Sequence, residues 1–176
     1  MKRFFSFNGT ISGSSFILRT LFSIVLSIPF LVLSFALFFS IFFNYMDIDF
    51  ASVEGMSMAE SNALGEKVGL KIAEDLIQLG AAEWFSQNVS ILWITLIIIS
   101  LVPFFWFTLA TYYKRISAIF LSNRVKAFFT LIALGVTLDI IGLKYGNTIF
   151  WICQLIGLAI FGFLLLKNSP IGEHDG

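Results

Sequence analysis

The chain is poor in the side chains that carry chemistry. Its 176 residues include one cysteine, Cys153, and one histidine, His174. A lone cysteine forms no internal disulfide, and there is no CxxC or Cys/His cluster. That supply leaves no side-chain set for a metal or haem site, and none is expected. No GxSxG, HExxH or phosphate-loop motif occurs. Catalysis by proton transfer or by a nucleophile needs at least two convergent groups, so neither an enzyme nor a cofactor is expected. Charge is scarce as well. Charged residues make up 12% of the chain and the formal net charge is zero. That is about half the usual charged share of soluble domains. A neutral chain offers no basic field for nucleic acid, and none is expected as a partner.

Apolar length is what the chain has in excess. Hydrophobic residues account for 58%, with 22 phenylalanines and a mean hydropathy of +0.92. A soluble chain of this size has too little interior to hide so much apolar surface. Four long runs carry most of it: Leu21–Phe43, Ile91–Ala110, Ala127–Leu143 and Asn147–Leu166. The first has no charge, and as a helix it is roughly 34 Å long, enough to cross a bilayer core. Lys2 and Arg3 precede it as in a signal peptide. The run is too long for one, however, and Asn44-Tyr-Met-Asp-Ile-Asp-Phe-Ala-Ser52 offers no small-x-small cleavage site, so it reads as a retained anchor. Pro29 and Pro103 fall inside the first and second runs, where membrane helices accept proline with a bend. Thr20, Ser23, Ser27 and Ser34 share one side of the first helix. This weakly polar stripe reads as a packing seam, with a polar pathway as the alternative.

Sign segregates along the chain. Residues 44–88 carry eight acids against Lys67 and Lys71, a net of 2 − 8 = −6. Within them Ser57-Met-Ala-Glu60 has the form of a capping box. Leu64, Val68, Ile72, Leu76 and Leu79 follow at helical spacing, with Glu60, Lys67, Lys71, Glu74 and Gln78 on another face. Gly80 suits the end of the helix. The pattern predicts an amphipathic helix near 58–79, lying on the membrane surface or on the bundle. Lys2, Arg3, Arg19, Lys114, Arg115, Arg124, Lys126 and Lys167 share one side if there are four spans, leaving Lys67, Lys71 and Lys144 on the other. The positive-inside rule then sets both termini in the cytoplasm and the acidic segment in the periplasm or exterior. Trp93, Trp106, Tyr112 and Tyr113 stand at the ends of the second run, as interfacial rings do. Lys144-Tyr-Gly146 leaves room only for a tight hairpin between the last two runs. After Lys167 the chain turns polar, with Pro170 and Gly172 as helix breakers.

Two segments suggest a family. Phe7-Asn-Gly-Thr-Ile-Ser-Gly-Ser-Ser-Phe16 resembles the F-x-G-R-x-x-R-x-x-F opening of the YhaH-like small bacterial inner-membrane proteins, catalogued as domain of unknown function 805. Lys114-Arg115-Ile-Ser-Ala118 stands where that family has R-R-L-H-D, and Lys167-Asn-Ser-Pro-Ile-Gly-Glu-His-Asp-Gly176 is similar to its Pro/Gly-rich close. The resemblance spans nearly the whole chain on short motifs. It implies a bacterial inner-membrane architecture and no particular activity. The family's two N-terminal arginines are Thr10 and Gly13 here, its His-Asp pair is Ser117-Ala118, and the 44–88 segment is longer than the family would suggest.

Asp139 is the one acid inside an apolar run. On insertion scales a carboxylate at the bilayer centre costs about 2.5–3.5 kcal/mol. Gly135, Asp139 and Gly142 lie on one helical face, which aims the acid at a neighbouring helix, and Gln154 is its candidate partner across the hairpin. A proton or cation site is one reading. A structural polar pair is the preferred one, since Asp139 is about 6 Å from the end of its run. Cys153, Gln154 and Gly157 read as packing, and His174 as a solvated tail residue. Lys114, Arg115, Arg124 and Lys126 read as topology charges, with anionic lipid headgroups as their alternative partners.

Together these readings predict an all-α polytopic membrane protein. The expected form is a single membrane domain over 1–176, a four-transmembrane-helix bundle with an extra periplasmic amphipathic helix in a bacterial inner membrane. Its partners are the lipid bilayer and another membrane protein or a second copy. The expected role is structural or accessory, through helix–helix or lipid contacts. The alternative is a subunit of a small transporter or channel with Asp139 in a polar path.

Overall fold

A computed structural model describes residues 2–46, 55–170 and 174. Asp47, Asp49 and Glu54 of the acidic segment lie outside the described residues, as do 171–173 and 175–176 of the tail. The described residues form helices joined by short connections, with no strand among them. The helices are α1 (Lys2–Phe5), α2 (Gly13–Met46), α3 (Met58–Leu79), α4 (Ala81–Asn88), α5 (Ile91–Phe120), α6 (Arg124–Tyr145) and α7 (Asn147–Leu166). A single 3-10 turn, Leu121–Asn123, separates α5 from α6. Three helical stretches are long and apolar enough to cross a membrane: Gly13–Met46, Ile91–Tyr145 and Asn147–Leu166. Their outer faces carry exposed phenylalanine, leucine and isoleucine throughout. The chain is an all-α membrane protein.

α2, α5 and α6 contain their apolar runs and extend past them, while α7 coincides with its run. α2 begins at Gly13, where the Ser12 hydroxyl accepts from the Ser15 amide at 3.2 Å. It continues through Arg19 because that side chain turns inward, 5% exposed, and donates to the Phe4 carbonyl at 3.1 Å. α5 likewise runs on through Lys114 and Arg115, both buried. A charge whose hydrogen-bonding groups find partners inside the protein does not end a membrane helix. The stripe on α2 faces inward too. Ser23 is buried and Thr20, Ser27 and Ser34 are half-buried. Thr20 and Ser23 bond to carbonyls of their own helix, at 2.9 Å to Phe16 and 2.6 Å to Thr20.

Internal packing gathers the chain into two compact units, residues 1–26 with 103–176 and residues 27–102. In the first, Ile11, Phe16, Ile116, Phe128 and Leu164 form a buried apolar cluster. Aromatic edges tie it together: Phe16 meets Tyr112 at 5.2 Å between centroids, and Tyr113 meets Phe128 at 5.1 Å. α1 is docked on α5. Phe4 stacks on Phe107 at 5.2 Å, and Trp106 Nε1 donates to the Phe5 carbonyl at 2.9 Å. α6 and α7 form a hairpin joined by Gly146 alone, at φ 90°. Only glycine holds that left-handed backbone without a Cβ clash, so the one-residue reversal depends on it.

In the second unit, α3 begins with the capping box. The Glu60 amide donates to Ser57 Oγ at 3.4 Å, and the Ser57 amide to the Glu60 carboxylate at 2.8 Å. Gly80 closes α3 with its amide on the Leu76 carbonyl. Val68 is buried and Leu64 and Ile72 are half-buried, while Leu76 and Leu79 are exposed. Val68 is thus the buried centre of the stripe, flanked by half-buried Leu64 and Ile72. Glu60, Lys67, Lys71, Glu74 and Gln78 are all exposed. α4 is anchored by Trp84, which is buried and donates through Nε1 to the Tyr45 hydroxyl at 2.9 Å.

Candidate functional site

The one-residue reversal at Gly146 sets α6 and α7 side by side, and it brings Asp139 and Gln154 together. Gln154 Nε2 donates to Asp139 Oδ1 at 3.3 Å. Both residues are exposed on the surface of the hairpin. Their neighbours on that surface are apolar, with Val136 and Ile140 on α6 and Trp151, Leu155 and Leu158 on α7 all more than half exposed. The pair is thus a polar spot in an apolar face. It does not line the groove enclosed by α5, α6 and α7, which reaches Leu138 and Gly157 instead. Cys153, next to Gln154, is buried.

The four cations after α5's apolar run divide. Arg124 and Lys126 are exposed at the start of α6. Lys114 and Arg115 are enclosed by protein, 0% and 2% exposed. All four therefore do not meet one headgroup surface. Arg115 has a specific arrangement. Its Nε donates to the Leu164 carbonyl at 2.5 Å, Nη1 to Ile11 at 3.1 Å, and Nη2 to Leu165 at 3.3 Å and to Lys167 at 2.6 Å. Three of these acceptors belong to the end of α7, whose last carbonyls have no partner within the helix. The guanidinium also sits at the negative end of the α7 dipole. A planar fork with five donors serves four acceptors, as an ammonium on a flexible stem does not. Gly13 closes this arrangement. A Cβ on residue 13 would collide with the Leu165 carbonyl oxygen and touch the Arg115 guanidinium.

Sequence reasoning did not find this role of Arg115. The tail also differs from its solvated reading. His174 is half-buried with Nδ1 3.3 Å from the Thr10 hydroxyl, and Ser169 donates to the Ala118 carbonyl at 2.8 Å. Ser117 is buried, and its hydroxyl has no hydrogen-bond partner among the described residues. No group of three or more His, Cys, Asp or Glu side chains converges on a metal position among the described residues.

No protein-family model, no curated protein and no solved structure matches this chain. The site's geometry therefore stands alone as the basis for function.

Proposed function

We propose that this chain is a structural or accessory protein of a bacterial inner membrane, acting through contact of the α6–α7 hairpin with another membrane helix. The observation that carries this reading is the exposed Asp139–Gln154 pair within an apolar face. In hydrocarbon both groups lack water, and a polar neighbour on an approaching helix supplies the hydrogen bonds that lipid tails do not. Hydrogen bonds of this kind contribute about 0.6–2 kcal/mol each between membrane helices. The Ile91–Tyr145 stretch is too long for one crossing. Its 55 residues correspond to roughly 80 Å of helix against a core of about 30 Å. Dividing it at the Leu121–Asn123 turn gives four spans. Charge segregation then puts both termini in the cytoplasm and α3 in the periplasm as a surface helix. The YhaH-like resemblance fits that arrangement. The transporter or channel reading draws on the acid and the weakly polar stripe of α2, and the groove between α5, α6 and α7 gives it no support, because it runs past Leu138 and leaves Asp139 outside.

The test is a photoreactive residue at position 140 in intact membranes. A discrete adduct is expected, either with a second copy or with one partner, and Asp139→Leu should reduce it several-fold while folded yield is kept. Only diffuse lipid labelling, equal in both chains, would overturn the reading. Proton or potassium flux from the purified wild type in liposomes, lost in Asp139→Asn, would move the assignment to the transporter class.

A further inference from the structure

Two cavities of the first unit share one wall, and their chemistry differs. The first is a groove of 270 Å³ between α5, α6 and α7, lined by Leu109, Tyr112, Leu131, Gly135, Gly157 and other apolar groups including Phe128. For comparison, a dry cavity of about 150 Å³ lined by such side chains takes up benzene. From Phe128 to Leu138 the groove follows α6 for roughly 15 Å. That is an elongated shape, suited to a chain rather than to a compact solute. The second cavity is a cleft of 420 Å³ at the start of α6, lined by Asn8, Gly9, Tyr113, Arg124, Phe129 and again Phe128. It combines an amide side chain, a phenol and a cation. Lys126 is exposed in the same turn as Arg124. Among the described residues neither cavity is lined by an acid.

We propose that the groove and the cleft together bind one anionic diacyl phospholipid, with an acyl chain along Leu131, Gly135 and Gly157 and the phosphate against Arg124 and Asn8. Three observations select this occupant. The groove lies among helices apolar enough to span a membrane, so acyl chains are its surrounding solvent. The polar cleft adjoins one end of the groove at Phe128, where α6 begins, and an amphiphile is the ligand class that needs both environments in that order. The charge at the polar end is positive, which favours an anionic over a zwitterionic headgroup. Gly135 and Gly157 are the features that keep the groove open. A Cβ built on either meets nothing within 4 Å, so larger side chains have room there and would fill the space. The site rests on the membrane placement of the helices proposed above, and not on a partner at Asp139.

The test uses delipidated full-length protein in mild detergent, titrated with phosphatidylglycerol or with phosphatidylcholine of the same chains and read by native mass spectrometry. Gly157→Leu should weaken phosphatidylglycerol binding at least ten-fold. Gly162→Leu should not, because it lies on the same helix, also has open space at its Cβ, and does not line the groove. Arg124→Gln should weaken phosphatidylglycerol about five-fold, as expected for one cation at a membrane surface, and leave phosphatidylcholine unchanged. Wild-type affinity in Gly157→Leu would overturn the groove. Equal binding of both lipids, insensitive to Arg124→Gln, would overturn the headgroup assignment. If Gly157→Leu does not fold, phosphatidylglycerol with a mid-chain diazirine on the unaltered protein decides. Labelling concentrated on 131–138 and 157–161 is expected, and even labelling of the outer helix faces would refute the site. Loss of lipid binding with the position-140 adduct intact would leave the accessory reading standing.

Discussion

Arg115 and Asp139 are both charged-type residues within long apolar helices, and their surroundings are opposite. Arg115 is enclosed, and four backbone carbonyls accept from it. Asp139 is exposed and is met by one side-chain amide at 3.3 Å. The first arrangement is finished within the chain, because its donors are matched to acceptors that would otherwise be orphaned. The second is open, since a carboxyl and an amide have several more hydrogen bonds to make than the one they share. A solvated arrangement marks the other extreme. The Ser57–Glu60 capping box is exposed to water, which competes for every bond it makes. The difference teaches that polarity in this chain serves separate ends: closure of the fold at Arg115, the contact proposed at Asp139, and local helix initiation at Ser57.

The largest effect expected from this contrast is at Arg115. Arg115→Ala leaves the buried carbonyls of Ile11 and Leu164 and the partly buried ones of Leu165 and Lys167 without this donor, at about 1–3 kcal/mol for each buried group before water enters. A net destabilisation of about 3–5 kcal/mol is expected, measured as loss of folded, monodisperse protein in a detergent thermal-melt series. Arg115→Lys should recover only part of it, because one ammonium cannot serve four spread acceptors. Equal stability of Arg115→Lys and wild type would mean that charge alone matters.

A smaller effect is expected at the open pair. Gln154→Leu removes a single exposed hydrogen bond, so its cost to the isolated protein should stay below about 1 kcal/mol in the same melt series. A loss comparable to that of Arg115→Ala would place the pair with the internal closure and remove the contrast.

The smallest effect belongs to the capping box. Hydrogen bonds from the Ser57 backbone and then from its side chain hold the Glu60 carboxyl below its ordinary value. A carboxyl lowered in the folded state stabilises above its unfolded pKa, and that contribution is lost as pH falls through the folded value. The first turn of α3 should therefore be better protected at pH 7 than at acid pH. Hydrogen exchange at residues 57–61, corrected for intrinsic rates, reads this directly. Glu60→Gln should flatten the pH dependence, and an unchanged profile in that variant would assign it to another group.

Much of this was legible in the sequence, for identifiable reasons. Apolar run length located the long helices, and the Ser57/Glu60 signature located the start of α3 because capping is local chemistry. The Asp139–Gln154 contact was readable because the short Lys144–Gly146 link forces a tight hairpin, and the structure shortens that link to Gly146 alone. Helix ends were less legible. Arg19, Lys114 and Arg115 look like boundaries in a hydropathy pattern, and only their inward orientation makes them interior. The role of Arg115 left almost no trace, since its acceptors are main-chain carbonyls that any residue supplies. One signal was available. The chain after α7, Lys167-Asn-Ser-Pro, has no glycine to cap the helix, so a donor from elsewhere was needed.

The guanidinium of Arg115 also imposes an order on biogenesis. Its acceptors include Ile11, which lies 104 residues before it, and Lys167, which lies 52 residues after it. Contacts between such distant segments form late, because the chain must close large loops first. During synthesis the opening segment and α5 are both in place before α7 exists, and the central donor then has only one of its two partner segments available. The end of α7 then supplies the remaining three acceptors of the same guanidinium. A polypeptide cut short before α7 lacks three of the four carbonyls that accept from its central arginine.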